Sequence, residues 1–270
     1  MPEKYGNRLP LSLHDKSPYD IAVYAAGEAG KVLRRRFGLQ NEIRVKGRRN
    51  LVTEADIRSE KKILEIIREE YPRHRILSEE SGDSQPGAEY MWIIDPLDGT
   101  NNYYFGIPYF CINIALAKGK EVLLGLTYDP IRRETFHSEK GKGSFLNGKR
   151  IHVSGVNSLQ AASVGVDLGY QVEKSNEILR IAVKLWPKIH CLRLMGSASL
   201  GLAYVACGRL SLYFHKHLYP WDIASGLLLI REAGGTVMNG NKDKAEIEDK
   251  EIIAANKKLV KQFLSWLERS

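Results

Sequence analysis

The 270-residue sequence contains few cysteines and no long apolar run. Its three cysteines, Cys111, Cys191 and Cys207, lie far apart without a C-x-x-C motif, which argues against a disulfide scaffold and favours reduced thiols. Nowhere do eighteen apolar residues run together, and residues 1–20 contain charges and prolines but no apolar signal-peptide core. We therefore expect a cytoplasmic protein with neither a membrane span nor a secretion signal.

Motifs of several common protein classes are also missing. No G-x-S-x-G segment occurs, which argues against a serine hydrolase. Residues 143–149 resemble a P-loop, but Arg150 occupies the position where Ser or Thr must reach the magnesium, and the flanks favour a hairpin. The formal net charge is +8, yet the basic stretches at 34–36 and 46–49 lack interleaved aromatics and zinc-finger spacing. We expect no nucleic acid among the partners.

Apolar periodicity predicts helices and strands along the chain. A Ser-Pro pair at residues 17–18 is typical of a helix start, and Thr53 can cap a second helix. Short extended runs then predict an antiparallel sheet, after which strands and helices alternate. We expect an α+β half over residues 1–155 and an α/β half over residues 156–270, packed as one rigid unit. The predicted helices are 18–37, 54–71, 173–185, 197–206, 221–233 and 257–267, and the predicted strands are 75–78, 90–94, 109–117, 121–128, 135–138, 163–167, 191–194, 210–214, 236–238 and 252–255.

The segment W-I-I-D-P-L-D-G-T-N-N at residues 92–102 gives the strongest chemical signal. An apolar strand brings Asp95 to its carboxyl end, and the turn that follows returns Asp98 to the same small volume. Two crowded carboxylates are costly unless a hard cation lies between them, and Mg²⁺ prefers carboxylate and carbonyl oxygens. Gly99 allows a ligand to approach the backbone, and the amides that open a helical turn at Thr100 offer an anion site. The segment predicts a metal and a phosphate side by side.

Three further acidic segments are similar in kind. A short strand ends in Glu79 and Glu80, and two predicted helices open at L-V-T-E-A-D (residues 51–56) and P-W-D-I-A-S-G (residues 220–226). Taken singly, each is also explained by a solvated loop or by capping, because the helix dipole favours acidic residues in a first turn.

Taken together, L-V-T-E-A-D, S-E-E, W-I-I-D-P-L-D-G-T, M-G-S-A-S and P-W-D-I-A-S-G, in this order and spacing, closely resemble the inositol monophosphatase family, within the superfamily that includes fructose-1,6-bisphosphatases. The resemblance extends from about residue 17 to the end of the chain. It implies an α+β fold of the sugar-phosphatase type, a layered α-β-α-β-α sandwich of two halves with the site in the cleft between them. It also implies a homodimer or homotetramer and two to three Mg²⁺ ions per site.

The resemblance assigns the metal ligands residue by residue. Glu79, Asp95 and the Leu97 carbonyl would bind a first magnesium, and a third, weaker magnesium would involve Glu79 largely through water. Asp95, Asp98 and Asp222 would bind the second. Most of the implied metal ligands thus lie within residues 1–155, and Asp222 completes the set.

The resemblance also implies the groups that act on the substrate. Thr100, paired with Asp56, would orient the attacking water, with Glu79 as the third catalytic residue. The phosphate and the rest of the substrate would be bound by Asp98, Gly99, Thr100, Gly196, Ser197, Ala198 and His215.

His215 departs from the family pattern, which often has a hydroxyl-binding glutamate seven residues before the aspartate of P-W-D. We expect His215 to face the alcohol portion of the substrate, with a solvent-facing histidine on an edge strand as the alternative. Together with His217 it could also form a zinc arm, but no third soft ligand is suggested nearby, so we favour two surface or cleft histidines. Asn50 and Ser211 also replace family aspartates, outside the implied metal ligands.

We therefore predict a Mg²⁺-dependent phosphomonoesterase acting on small polyol or sugar phosphates, with myo-inositol 1-phosphate first and fructose 1,6-bisphosphate second. One alternative is a nucleotide-directed phosphatase of the same superfamily, acting on 3′-phosphoadenosine 5′-phosphate or NADP. Another is a non-catalytic phosphate-binding or regulatory relative. A dehalogenase-type phosphatase is disfavoured because its motif spaces two aspartates by two, whereas Asp95 and Asp98 are three apart.

Overall fold

The computed structural model describes residues 9–39, 43–47 and 50–269. Arg48 and Arg49 of the basic stretch at 46–49 lie outside the described residues. The helices are α1 (Pro18–Arg36), α2 (Glu54–Glu70), α3 (Thr100–Tyr104), α4 (Val172–Leu185), α5 (Ala198–Ala206), α6 (Pro220–Glu232) and α7 (Lys257–Leu267). The strands are β1 (Ile43–Gly47), β2 (Asn50–Thr53), β3 (Arg75–Ser78), β4 (Gly82–Ser84), β5 (Tyr90–Asp98), β6 (Cys111–Lys118), β7 (Glu121–Asp129), β8 (Glu134–Glu139), β9 (Gly143–Leu146), β10 (Lys149–Ile151), β11 (Ser163–Val166), β12 (Cys191–Leu194), β13 (Leu212–His215), β14 (Thr236–Asn239) and β15 (Ile252–Ala255).

The predicted helix starts are confirmed by their caps. At α1 the Ser17 hydroxyl accepts a 3.1 Å hydrogen bond from the Asp20 amide, and Pro18 occupies the first turn, where a missing N–H costs nothing. At α2, Thr53 and Asp56 form a capping box. Within the described residues, the strands that the sequence did not predict are short, namely β1, β2 and β4, whereas α3 is the helical turn expected at Thr100.

The eight-stranded sheet has the order β10-β9-β8-β7-β6-β5-β3-β4. Its neighbours pair antiparallel, as expected, except that β3 and β5 run parallel. The segment that resembles a P-loop is the β9–β10 hairpin that its flanks indicated. Asn147 and Gly148 connect the two strands at φ values of +48° and +77°, and a tight hairpin turn requires such positive values.

The five-stranded sheet of the second half has the order β12-β11-β13-β15-β14. Strand β11 pairs parallel with β12 and with β13, as an alternation of strands and helices predicts, while β15 runs antiparallel to both of its neighbours. Strand β13, which ends in His215, is therefore in the middle of the sheet.

Three apolar cores confirm the five-layer α-β-α-β-α sandwich. Trp92 points from β5 into the core beneath α1 and α2, whereas Ile93 points to the opposite face, where α5 and α6 lie. Tyr213 faces this same central layer from β13, and Phe214 faces the outer core beneath α4 and α7. The central strands β5, β6, β7 and β13 are covered on both faces, which explains why they are mostly apolar. Helices α5 and α6 belong to the second half but pack on the sheet of the first.

All three cysteines are unpaired thiols, as the sequence predicted. Among the described residues, no helix combines the length and the apolar character that crossing a membrane requires.

A buried polar network holds α6 against the eight-stranded sheet. Thr127 on β7 donates to the Asn113 side chain at 2.8 Å and lies 2.9 Å from the hydroxyl of Ser225 on α6. Asn113 in turn donates to the carbonyl of Trp221, in the first turn of α6. Close approach is possible because Gly125 has no side chain, since a Cβ there would lie 2.8 Å from the Ser225 carbonyl oxygen. The network fixes where the N-terminus of α6 lies relative to β5.

We expect Gly125→Ala to lower the free energy of unfolding by about 1–3 kcal/mol, because the new methyl group meets backbone that cannot rotate away. Gly27→Ala in α1 is the matched control. A Cβ at Gly27 has nothing within 4 Å, so this substitution should raise stability by about 0.5–1 kcal/mol through helix propensity. Urea unfolding of the two variants checks both signs, and an undiminished stability of Gly125→Ala would contradict the packing argument.

Candidate active site

A bulge in β5 places two aspartates on one face of the sheet. Asp95 pairs with Asn113 and Asp98 pairs with Cys111, so three steps along β5 match two steps along β6. In a regular strand, residues three apart point to opposite faces, and the one extra residue of a bulge restores them to the same face. The expectation that the strand ends at Asp95 was wrong. The strand continues to Asp98, and a bulge, not a turn, brings Asp98 to the same face as Asp95.

Asp222 completes a cluster of three carboxylates. One oxygen each from Asp95, Asp98 and Asp222 lies within 4.8 Å of the other two. Asp222 is in the first turn of α6, where its carboxylate accepts a 2.7 Å hydrogen bond from the Tyr219 amide. The helix dipole favours a negative charge at this position. Sequence positions 127 residues apart are thus joined by the packing of α6 on β6 and β7.

Burial raises the pKa of all three carboxyls, and repulsion by neighbouring carboxylates adds to the rise for Asp95 and Asp222. For Asp95 the larger cause is loss of hydration, and the charges of Glu79, Asp98 and Asp222 add to it. The pKa of Asp222 rises for the same reasons, burial first and then the charges of Asp98 and Glu79. Glu79 lines the same cavity but is not part of the close triplet. A divalent cation is the group that would relieve this repulsion without protonating the cluster.

Residues from the second half of the chain donate hydrogen bonds to the Asp98 carboxylate. Its Oδ2 accepts hydrogen bonds from the Ser197 hydroxyl at 2.5 Å and from the Ser199 amide at 2.8 Å. Both donors belong to the N-terminus of α5, which Ser197 also caps. These bonds lower the pKa of Asp98 in opposition to its burial, which dominates and raises it. Ser197, predicted to border the substrate, lines the cavity and also fixes an aspartate of the cluster.

Thr100 and Asp56 meet behind the cluster. The Thr100 hydroxyl lies 3.0 Å from Asp56 Oδ1 and 3.0 Å from the Leu97 carbonyl, so its one proton serves one of them at a time. The other oxygen of Asp56 accepts from the amide and hydroxyl of Thr53 at 2.8 and 2.6 Å. Burial raises the pKa of Asp56 to about 6 despite these bonds. Asp56 itself is covered by Thr100 and does not line the cavity.

Gly99 is the N-cap of α3, where its lack of a side chain leaves room for other backbone of this chain. Its φ of +96° is in the left-handed region, and a Cβ there would lie 3.1 Å from the Tyr109 carbonyl oxygen and 3.2 Å from that of Gly196. The close neighbour is therefore backbone of this chain, whichever ligand binds at the adjacent amides.

The cluster opens into a cavity of about 380 Å³ between the two sheets. Every predicted site residue except Asp56 lines it, including the 196–198 segment and His215. An aromatic wall that the sequence did not indicate also lines the cavity. Tyr219 and Trp221 stack there with ring centroids 5.1 Å apart, and Tyr170 lies nearby, with its pKa raised by burial and then by the charge of Glu79.

His215 is a buried wall residue with a defined tautomer. It is 4 % exposed on the central strand β13, so the alternative of a solvent-facing histidine on an edge strand was wrong. Its Nδ1 accepts a 3.0 Å hydrogen bond from the His217 amide, and an amide can only donate. The ring proton is therefore on Nε2. Burial lowers the pKa of His215 to about 3, so the imidazole is neutral at physiological pH.

The two histidines do not form a zinc arm in the described part of the chain. The only close group of three or more ligating side chains there is the aspartate triplet. His215 Nδ1 accepts the bond from the His217 amide and Nε2 carries the ring proton, so neither nitrogen of this ring offers a free lone pair to a metal. The expectation of two cleft histidines describes their position, since both line the cavity.

Asp167 is a site residue that the sequence reasoning missed. This buried carboxylate follows β11 and accepts from the amides of Met195 and Gly196, at 2.6 and 2.5 Å, and from the Tyr213 hydroxyl at 2.9 Å. Burial raises its pKa to about 6. It holds the loop that leads to Ser197. The signal was present, because the apolar run S-V-G-V-D ends in an aspartate just as W-I-I-D does.

The layered sandwich and the carboxylate cluster in its cleft define a protein of the sugar-phosphatase fold class. A family model described as the inositol monophosphatase family matches residues 15–269. The chain therefore belongs to the inositol monophosphatase family.

Individual relatives agree with this assignment. The Nus factor SuhB of Pseudomonas aeruginosa is 37% identical over 257 residues, which cover 92% of this chain and 95% of that protein. Inositol monophosphatase 2 of Solanum lycopersicum is 36% identical over 263 residues, covering 93% and 98%. A solved structure named inositol monophosphatase–fructose 1,6-bisphosphatase superposes with a TM-score of 0.79 at 27% identity, covering 93% of this chain and 99% of that one.

The tautomer of His215 can be checked directly. We expect two-dimensional ¹H–¹⁵N spectra of the imidazoles to show His215 protonated on Nε2 alone, with shifts that stay constant between about pH 5.5 and 8. Loss of the signal in His215→Gln would assign it. A titration within this range, or a proton on Nδ1, would contradict the buried neutral ring.

Proposed function

We propose that this chain is a Mg²⁺-dependent phosphomonoesterase of small polyol or sugar phosphates, with myo-inositol 1-phosphate as its first substrate. The observation that carries the proposal is the triplet of Asp95, Asp98 and Asp222, whose oxygens lie within 4.8 Å of one another in a cavity. A binding module has no need to crowd carboxylates in this way, because their repulsion costs stability unless cations are bound.

The donor set fits magnesium. Carboxylate oxygens with a backbone carbonyl are the ligands of a hard cation, and the described residues bring no thiolate or imidazole into the triplet. Glu79, Asp95 and the Leu97 carbonyl would hold one ion, and Asp95, Asp98 and Asp222 a second. Two to three such ions would neutralise the phosphate, lower the pKa of water and stabilise the departing alkoxide.

The chain's own residues orient the reactants. Thr100 donates its proton to Asp56 or to the Leu97 carbonyl, so its oxygen lone pairs are free to accept from a water in the cavity. The amides of Gly99 and Thr100 are available to hold phosphate oxygens at the start of α3. The 196–198 segment and His215, which line the same cavity, would then border the alcohol portion of the substrate.

A non-catalytic role is the second candidate, and the relative from Pseudomonas aeruginosa that is named a Nus factor favours it. In that case the cavity would bind phosphate compounds without turnover. We also propose that the chain divides functionally at residue 155, forms a homodimer or homotetramer and works in the cytoplasm; analytical ultracentrifugation tests the oligomer.

Phosphate release from myo-inositol 1-phosphate, fructose 1,6-bisphosphate and 3′-phosphoadenosine 5′-phosphate tests the function. Excess chelator should abolish turnover, and Mg²⁺ should restore it. Thr100→Ala should lower kcat by about 10²-fold because it removes the group that positions water, while Thr135→Ala on β8 should leave kcat unchanged. Full turnover in chelator would exclude the metal mechanism. Tight binding of all three compounds without turnover would establish the non-catalytic alternative.

His215 should influence substrate choice within this function. Its Nε2–H makes no hydrogen bond to the described residues, and the ring lines the cavity, so it can donate to an acceptor on the substrate. Burial holds the pKa of His215 near 3, so the ring is not protonated at physiological pH and cannot attract a second phosphate by its charge. A neutral donor can still bind an oxygen of a second phosphate.

We expect His215→Glu to shift the ratio of kcat/KM for myo-inositol 1-phosphate over fructose 1,6-bisphosphate toward inositol by at least about tenfold, equivalent to roughly 1.4 kcal/mol. A carboxylate accepts from hydroxyl groups and repels a second phosphate, whereas the imidazole donates. His215→Gln, which keeps a donor and adds no charge, is the control and should change the ratio less. A change below about twofold for His215→Glu between pH 6 and 8 would remove this residue from selectivity.

A further inference from the structure

Glu60 is a buried carboxylate that the proposed reaction does not use. It lies on α2, is 5 % exposed, and no cation pairs with it among the described residues. Four donors from one loop bond to it instead. They are the Ser78 hydroxyl, the Glu80 amide at 3.2 Å, the Ser81 amide at 3.0 Å and the Ser81 hydroxyl. Burying an unpaired carboxylate is costly, and charge-assisted hydrogen bonds of this kind offset that cost.

The four bonds flank Glu79 on both sides. Ser78 precedes it, and Glu80 and Ser81 follow it, so three of the four residues from 78 to 81 are tied to one carboxylate. The Glu79 amide itself donates to the Ile94 carbonyl at 3.2 Å, beside Asp95. The backbone around Glu79 is therefore fixed against both α2 and β5. With its backbone fixed, the Glu79 side chain has few ways to leave the cavity that it lines.

Glu60 is one of three site-facing residues on the same side of α2. Asp56 contacts Thr100, and Ser59 donates to the Pro96 carbonyl inside the bulge at 2.7 Å. Positions i, i+3 and i+4 of a helix share one face, so this spacing lets one helix hold three separate segments of the site. Asp56 holds the Thr100 hydroxyl, Ser59 the bulge and Glu60 the loop of Glu79.

We propose that Glu60 is a positioning residue that sets the Mg²⁺ affinity of the site by fixing the loop that carries Glu79. The inference rests on the proposed metal-dependent function. Groups that orient metal ligands through hydrogen bonds typically change metal affinity by about 10–100-fold when removed. Two different roles for Glu60 would give different results. A purely structural role would lower the melting temperature alone, and a long-range effect of charge would depend on the carboxylate's charge and not on its hydrogen bonds.

Titration calorimetry of Mg²⁺ into metal-free protein separates these possibilities. Glu60→Ala should weaken Mg²⁺ binding by at least about tenfold. Glu60→Gln should remain within about threefold of the unmodified protein, because the amide oxygen can accept the same bonds and the NH₂ group can donate to the Ser81 hydroxyl. Glu65→Ala, on the same helix and paired with the exposed Lys62, removes the same charge without touching the loop and should change nothing.

Amide hydrogen exchange gives a readout that needs neither metal nor activity. In Glu60→Ala the amides of Glu80 and Ser81 lose their acceptor, and their exchange in metal-free protein should accelerate at least about tenfold. Glu65→Ala should leave it unchanged. If Glu60→Ala does not fold, Ser81→Ala removes only the hydroxyl contact and should weaken Mg²⁺ binding at least about threefold.

Each outcome decides the proposal. Weaker binding and faster exchange in Glu60→Ala, with Glu60→Gln close to the unmodified protein, would support positioning. Equal losses of affinity in Glu60→Ala and Glu60→Gln would attribute the effect to charge and overturn it, as would a lower melting temperature with unchanged affinity. If the unmodified chain binds no Mg²⁺, the proposed function fails, and exchange at Glu80 and Ser81 still shows whether Glu60 orders this loop.

Discussion

Repulsion between buried carboxylates is the constraint on which the rest of the site depends. Asp95, Asp98 and Asp222 would separate or take up protons if they were free to move, because their charges are poorly hydrated and close together. The fold opposes this with rigid supports, namely a bulged strand that is buried along most of its length and the first turn of a helix packed on that sheet. A bound cation would relieve this repulsion without moving the carboxylates apart.

The sequence predicted the helices and strands well, but it did not predict the contacts that hold the site residues in place. The helix caps, the long strands and the acidic segments follow from local patterns, and the structure brings Glu79, Asp95, Asp98 and Asp222 to one cavity. Local patterns do not show which strand lies in the middle of a sheet, and this is why the position of His215 was open. They also do not show that Glu60 faces a loop, since a glutamate on an amphipathic helix is ordinarily solvated.

The missed features share a physical cause. The bulge at Asp95–Asp98 is a property of two paired strands, and neither strand encodes it alone. Asp167 and Glu60 act through hydrogen bonds to residues 18 to 46 positions away, which no periodicity reports. Sequence patterns were informative where a side chain stabilises its own helix or strand, and incomplete where a side chain bonds to a different element. Buried polar residues at the ends of apolar strands, such as Asp167, are the ones most worth examining in relatives.

The contact between Asp98 and α5 has a consequence for how the molecule assembles. A carboxylate from the N-terminal half accepts from the Ser199 amide, one of the donors that a helix leaves unsatisfied at its start. The carboxylate and the helix start lie in different halves of the chain, so each half supplies a hydrogen-bonding partner that the other half lacks. Separating the chain near residue 155 would therefore leave a buried carboxylate without these donors in one fragment and a helix start without its acceptor in the other.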